Sequence, residues 1–192
     1  ILSFGAAVQP FFAPEATDDA FYVLVGFAGV VPYLMLLGLW GLVLKPGGGK
    51  ERPRLDAPLH FAILGFAMLF AAALAAAVRG IDVLDLIGTS FDGAIFNYVV
   101  FGGAIVAFGG VAYWAPKLWG GRIGEPSARI SALLLFLGTI VLCVPDLWSG
   151  LLDQPDVLTP DSTVRDGVEA LNVVSVAGLG IITLGVLIFL LG

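Results

Sequence analysis

Five stretches of this chain carry no lysine, arginine, aspartate or glutamate: residues 20–44, 57–78, 93–116, 130–145 and 170–192. A helix rising 1.5 Å per residue needs about 20 apolar residues to cross ~30 Å of hydrocarbon. Four of the runs reach that length unaided. The run 130–145 is shorter, but residues 147–152 extend it past Asp146, and Arg129 can lay its aliphatic stem along the helix while its charge stays at the interface. The expected fold is all-α, a polytopic membrane helix bundle with about five transmembrane helices. It forms a single membrane domain over 1–192, with spans near 20–44, 57–79, 92–116, 129–150 and 169–192. The chain is 59% apolar and 12% charged, with mean hydropathy +1.01, whereas soluble domains run about 45–50% apolar with about a quarter of residues charged.

The scarcity of polar chemistry excludes several function classes. One cysteine, Cys143, offers no disulfide framework and no zinc knuckle, and within an apolar run it reads as a buried, inert thiol. Nine dispersed bases in a chain of net charge −6 lack the clustered basic stripe that nucleic acid requires. The first ten residues have no basic segment and no initiator methionine, so they do not read as a signal peptide. The expectation is a chain that begins part-way through a larger protein or after processing.

If the five spans alternate, residues 45–56 and 117–129 share one side, and 1–19, 79–92 and 146–169 share the other. The first side holds seven of the nine bases (Lys45, Lys50, Arg52, Arg54, Lys117, Arg122 and Arg129); the second holds Arg79 and Arg165. Short loops rich in lysine and arginine stay cytoplasmic, which predicts an outer N-terminus and an inner C-terminus in a bacterial or archaeal plasma membrane. Twelve of the fifteen acids fall on the outer side. That acidity is either ordinary loop solvation or a docking field for a basic partner such as a cytochrome c.

Within the spans, Pro32 should kink the first helix, while Pro10 and Pro14 break the segment before it and Asp18 or Asp19 can cap its start. Three consecutive glycines, Gly47, Gly48 and Gly49, make the first inner loop read as flexible. The alanine-rich stretch 71–77 and the glycine pairs Gly102–Gly103 and Gly109–Gly110 favour close helix approach. Trp40, Trp114, Trp119 and Trp148 fall near expected interfaces, as an aromatic belt would.

No ionisable group is expected at the middle of a span, where each would cost about 2.5–3.5 kcal/mol or more. The lone His60 follows Asp56 by four residues, a spacing that allows a pair on one helix face at the inner interface. Asp92 reads as an interfacial helix-start residue and Asn97 as an interhelical hydrogen-bonding group. One histidine, one cysteine and two methionines supply no paired haem ligands and no multi-ligand copper site. The residues therefore nominate no catalytic, cofactor-binding or metal-ligating position and no cofactor.

A family resemblance does emerge from the motifs. The third span opens Thr89-Ser-Phe-Asp-Gly-Ala-Ile-Phe-Asn-Tyr-Val-Val and leaves through Ala112-Tyr-Trp-Ala-Pro-Lys-Leu-Trp-Gly. This resembles the tenth helix of subunit I of the haem-copper (cytochrome c) oxidases, with its Thr-Tyr-x-Val-x-Ala-His-Phe-His-Tyr-Val and later Trp-x-Pro-x-x-x-Gly. Val31-Pro32 followed by Trp40, then Pro58, His60-Phe61, Leu64-Gly65-Phe66 and Leu69-Phe70, resemble two earlier helices. Gly150-Leu151 and Pro155 are similar to the family's Gly-Leu-x-Gly-Met-Pro-Arg-Arg, and Asn172, Ser175 and Gly178 to the Asn-x-x-Ser-x-x-Gly of its last helix. The resemblance covers the second half of subunit I, from the end of the seventh helix to the twelfth.

The same register removes the family's chemistry. The haem-ligand triplet His-Phe-His falls on Ile95, Phe96 and Asn97, and the copper-binding His-His pair on Ala7 and Val8. The proton-channel Thr and Lys fall on Tyr33 and Leu36, the His-Asp near the outer magnesium site on Ile87 and Gly88, and the propionate-holding arginines on Asp156 and Val157. The resemblance thus implies the scaffold without its ligands, since iron and copper need lone pairs and propionates need guanidinium partners. The expectation is a non-catalytic, oxidase-subunit-I-like structural subunit of a respiratory electron-transfer membrane complex, with the other subunits and lipids as partners. It would belong to a cytochrome c oxidase-type oxidoreductase complex without catalysing the reaction itself. An assembly factor or lipid-binding bundle and a small transporter or channel are the alternatives.

Overall fold

The computed structural model describes residues 20–45, 55–121, 123–157, 164 and 166–192. Among these residues six α-helices follow in order: α1 (Ala20–Ala28), α2 (Val31–Leu44), α3 (Ala57–Arg79), α4 (Ser90–Leu118), α5 (Glu125–Gly150) and α6 (Val168–Leu191), with a 3-10 turn at Asp82–Leu84 before α4. α1 and α2 form one candidate span, Val23–Leu44, and the other four helices are each long and apolar enough to cross a membrane. Helices suit such runs because lipid offers backbone N–H and C=O groups no partner, so each must bond within its own segment.

Local chemistry sets the ends. Pro32 lies in the first turn of α2, where its missing N–H costs nothing, and the chain breaks just before it at Gly29–Val30. The expected kink is therefore a full break between two short helices. Asp56 caps α3, its Oδ1 accepting the Leu59 N–H at 3.2 Å. A second orphan donor there, the Ala57 N–H, is taken by Glu125 Oε1 from α5 at 2.8 Å. Thr89 Oγ1 caps α4 by accepting the Phe91 N–H at 3.3 Å. Asp18 and Asp19, proposed as caps from the sequence, lie outside the described residues.

Helices α3, α4, α5 and α6 pack as antiparallel neighbours, and small residues set the contacts. A methyl group built on Gly65 would lie 2.6 Å from Val106 Cγ2 and 2.9 Å from the Gly102 carbonyl oxygen. Of the two glycine pairs in α4, Gly102 and Gly109 face α3, whereas Gly103 and Gly110 have open space around them. α5 and α6 come close where Gly178 approaches the Leu142 backbone. Ser131 Oγ donates across this seam to the Gly185 carbonyl at 2.8 Å, so even the polar groups face protein.

An aromatic cluster locks three helices together. Phe61 of α3, wholly buried, lies edge-on to Phe189 of α6 at 5.6 Å and stacks on Phe108 of α4 at 6.4 Å; Phe108 and Phe189 are 4.7 Å apart. α2 buries no residue of its own. It attaches to α3 through Tyr33 against Phe66 and Phe70 (6.1 and 6.4 Å) and Trp40 stacked on Phe66 (5.9 Å). Leucines and valines such as Leu42, Val43, Val173 and Leu190 stay exposed, as helices solvated by lipid require.

Candidate functional site

The polar residues of the bundle converge at the end where α4 starts and α5 finishes. A short left-handed turn makes this possible: Gly88 has φ +81°, its N–H donates to Asp92 Oδ2 at 2.9 Å, and its carbonyl accepts the Asp156 N–H at 3.0 Å. The Ser90 N–H in turn donates to the Gln154 carbonyl at 2.8 Å, and Thr89 bridges Pro155. The segment after α5 is thus strapped across the N-terminus of α4. Gly150 lets the two helices touch, since a methyl group there would lie 2.5 Å from the Phe91 backbone nitrogen. Asp92 holds the third element, pairing with Arg79 at the end of α3 through Nε and, at 3.3 Å, through Nη2.

Beneath this strap lies a polar pocket of ≈260 Å³. α4 contributes Ser90, Gly93 and Asn97, α5 contributes Asp146 and Ser149, the strap contributes Gln154 and Asp156, and α6 contributes Asn172. Ser90 and Ser149 share a hydroxyl contact at 3.0 Å, and Ser90 Oγ also donates to the Asp146 carbonyl at 3.1 Å. Ser175 Oγ reaches both the Asp146 carboxylate (Oδ1, 2.8 Å) and the Leu142 carbonyl (3.0 Å), bridging α6 to α5. No cation among the described residues pairs with Asp146 or Asp156.

The residues singled out in the sequence fall apart and come together in informative ways. Asn97 and Asp156, 59 positions apart and matched by the resemblance alone to a haem ligand and a propionate arginine, line this one pocket. Ile95 turns instead toward the buried cluster of Ala75, Leu86 and Phe91, and Phe96, 67% exposed, faces outward. The Asn97 side chain makes no hydrogen bond within the described residues, so the interhelical bond expected of it gives way to a place in the pocket wall. Tyr33 packs on Phe66 and Phe70, Leu36 lies on the surface of α2, and Val157 is 73% exposed. Ala7 and Val8 are outside the described residues. At the opposite end, His60 Nδ1 contacts the Asp56 carbonyl oxygen at 2.9 Å, while the Asp56 carboxylate serves as a cap and forms no pair with the imidazole. Arg129, expected to snorkel, donates to Glu125 Oε1 at 2.9 Å and to the Leu55 carbonyl at 2.8 Å.

Sequence reading gave Asp146 no role, carrying the span past it to residue 150. It lies in the last turns of α5 and faces Ser175. The signal was present in the spacing, because Ser175 and Asn172 are three residues apart, on one face of α6. The pocket does not fit the haem of oxidase subunits I. Of the pocket's lining, an asparagine amide is a poor iron ligand, and the carboxylates of Asp146 and Asp156 would repel haem propionates. Among the described residues no group of three or more His, Cys, Asp or Glu side chains is arranged to hold a metal. The pocket's chemistry is that of hydroxyls, amides and carboxylates, suited to water and hydrogen-bond donors.

The model of the family described as cytochrome c and quinol oxidase polypeptide I matches residues 13–181. A protein of Streptomyces avermitilis, provisionally named cytochrome c oxidase subunit 1-beta, is 31% identical over 181 residues; the match takes in 93% of this chain and 31% of that protein. Cytochrome c oxidase subunit 1 of Synechocystis sp. is 40% identical over 58 residues, 30% of this chain and 10% of that protein. The chain thus spans at most about a third of the length of these relatives.

Proposed function

This chain belongs to the cytochrome c and quinol oxidase polypeptide I family, and on that premise we propose that it is a non-catalytic, structural subunit of a respiratory electron-transfer membrane complex. It is an oxidase-subunit-I-like integral membrane protein. The observation that carries the finer reading is the pocket itself. Ser175 and Gly178, which carry the resemblance to the family's last helix, seat α6 on α5 beside it, and Asn97 and Asp156, where the resemblance would put a haem ligand and a propionate arginine, line it. A scaffold that retains packing and replaces its ligands can still position catalytic neighbours.

Purification of the full chain in mild detergent tests this. Stoichiometric membrane partners that survive gel filtration, together with an isolated chain lacking stoichiometric haem absorbance, are the expected results. Transient partners would favour an assembly role, and a haem spectrum from the isolated chain would overturn the reading. The double variant Ile95→His/Asn97→His is expected to remain free of haem, because Ile95 faces the Ala75–Leu86–Phe91 cluster and Asp156 stays in the pocket. Recovered haem absorbance in that variant would show the cavity to be intact.

The arrangement of bases supports a cytoplasmic location for the end bearing Lys45, Lys117 and Arg129. In a Cys143→Ala background, a cysteine introduced at Lys117 should resist an impermeant maleimide added outside intact cells, and one at Asp153 should react. The reverse pattern would invert the topology. The acidic opposite end is then the face on which a basic partner such as a cytochrome c would dock.

A further inference from the structure

The polar pocket holds more hydrogen-bond acceptors than its own walls satisfy. Asp146 commits one carboxylate oxygen, Oδ1, to Ser175, and its Oδ2 has no protein partner. The side chains of Asp156, Asn97 and Asn172 form no hydrogen bond or ion pair among the described residues. The serines do not make up the difference, because their hydrogens have backbone acceptors: Ser90 Oγ donates to the Asp146 carbonyl at 3.1 Å and Ser149 Oγ to the Pro145 carbonyl at 3.0 Å. What each hydroxyl has left to offer a ligand is a lone pair.

Two of the acceptors carry full charge and arrive on different elements. Asp146 stands in the last turns of α5, whereas Asp156 comes in on the strap, with its N–H fixed to the Gly88 carbonyl at 3.0 Å. The Asp156 Oδ1 lies only 2.6 Å from where a methyl group on Gly93 would be, so this carboxylate is laid against the bare backbone of α4 on the cavity wall. Two carboxylates on one cavity of ≈260 Å³ disfavour each other's charge unless a cation joins them. The described arginines are spent elsewhere, Arg79 on Asp92 and Arg129 on Glu125.

The wall also says which cation. Among the described residues no third His, Cys, Asp or Glu joins the two aspartates in a metal-holding group. Hydroxyls, amides and carboxylates from α4, α5, α6 and the strap instead suit a cation that brings several N–H donors of its own. A guanidinium is planar, carries five donors, is weakly hydrated and meets carboxylates two bonds at a time. Asp156 and Asn172 are exposed at the rim while Asp146 and Asn97 are partly buried, which is the depth that a long aliphatic stem with a charged tip can span.

We propose that this pocket is the receptor for a guanidinium group, the arginine side chain of a neighbouring subunit, which joins Asp146 to Asp156. That the arginine comes from a subunit rests on the structural role proposed above; the preference for a guanidinium rests on the pocket alone.

Calorimetric titration of methylguanidinium into the full chain in mild detergent, at constant ionic strength, tests the site. A five-atom cation should bind at ~1 mM. Methylammonium should bind more weakly, and tetramethylammonium, which has no N–H, not at all. Asp146→Asn and Asp156→Asn should each weaken methylguanidinium about tenfold, the loss of one charge-assisted contact. Asp153→Asn, on the strap but outside the pocket, should leave binding unchanged. Circular dichroism checks that the variants stay helical. Asp156→Arg brings a guanidinium on the chain itself and should raise the thermal midpoint above that of Asp156→Asn, a gain that adding Asp146→Asn removes. Absence of saturable binding, equal binding of methylammonium, or indifference to both asparagine variants would overturn the guanidinium site. The source of the arginine is read separately. A complex purified with its partners should take up no methylguanidinium, because the pocket is filled; uptake equal to that of the isolated chain overturns the neighbouring subunit as the source. A chain that purifies without partners yet binds methylguanidinium defeats the structural role and upholds the site.

Discussion

Gly178→Leu will separate α5 from α6 and shift unfolding of the detergent-solubilised chain to a markedly lower fraction of denaturing detergent. A methyl group at this position would already lie 2.5 Å from the Leu142 backbone nitrogen and 2.8 Å from the Gly138 carbonyl oxygen. Those are backbone atoms of an intact helix and cannot rotate away as a side-chain tip could. The contact is reciprocal, because a methyl on Gly138 would lie 3.0 Å from the Gly178 carbonyl oxygen. Pushing the helices apart also breaks the Ser175 bonds to Leu142 and Asp146 and the Ser131 bond to Gly185. Overpacking costs about 1–3 kcal/mol where a core can adjust, and the lost interhelical bonds add about 0.6 kcal/mol each, so a loss of about 3 kcal/mol or more is expected. Gly180→Leu, two residues on, is the control: a side chain there meets nothing within 4 Å and should leave stability unchanged. Identical unfolding of the two variants would show that the helices do not cross at Gly178.

Phe61→Ala should produce the second large effect by opening the junction of α3, α4 and α6. Phe61 is wholly buried and touches the rings of Phe108 and Phe189, which contact each other. In water, Phe→Ala in a core costs about 3–5 kcal/mol as lost transfer energy plus a cavity term. Lipid is itself apolar, so the transfer part falls away and packing remains. A loss near the bottom of that range, about 3 kcal/mol, is expected in the same detergent titration. Phe61→Leu, which restores most of the volume, should recover more than half of it. If leucine does no better than alanine, the aromatic edge-to-face geometry and not the filled volume is what stabilises this junction.

These contrasts show how the chain is read at two levels. The positions of the spans follow from hydrocarbon thickness and the cost of charge within it, so five runs without Asp, Glu, Lys or Arg anticipate five membrane-length spans. The family was legible for a related reason. Its helix motifs are short patterns of proline, glycine, tryptophan and serine whose order along the chain carries the resemblance. Helix boundaries were less legible, since Pro32 divides the first span into two helices and α4 begins at Ser90 under a Thr89 cap.

The pocket could not be read from the sequence. Asp146 read as an interruption within the last turns of a span, and Asn97 as a hydrogen-bonding residue between helices. Their shared environment depends on how α4, α5 and α6 are rotated about their own axes. That rotation is decided where Gly150 admits Phe91 and Gly178 admits Leu142. The sequence alone determined that this protein lies in a membrane, how many times its helices can cross, and which family its motifs resemble. Which faces meet was decided only by the tertiary structure, because apolar residues are equally at ease against lipid and against one another. Close approach at glycine, and the few polar groups that must find partners, settle the choice.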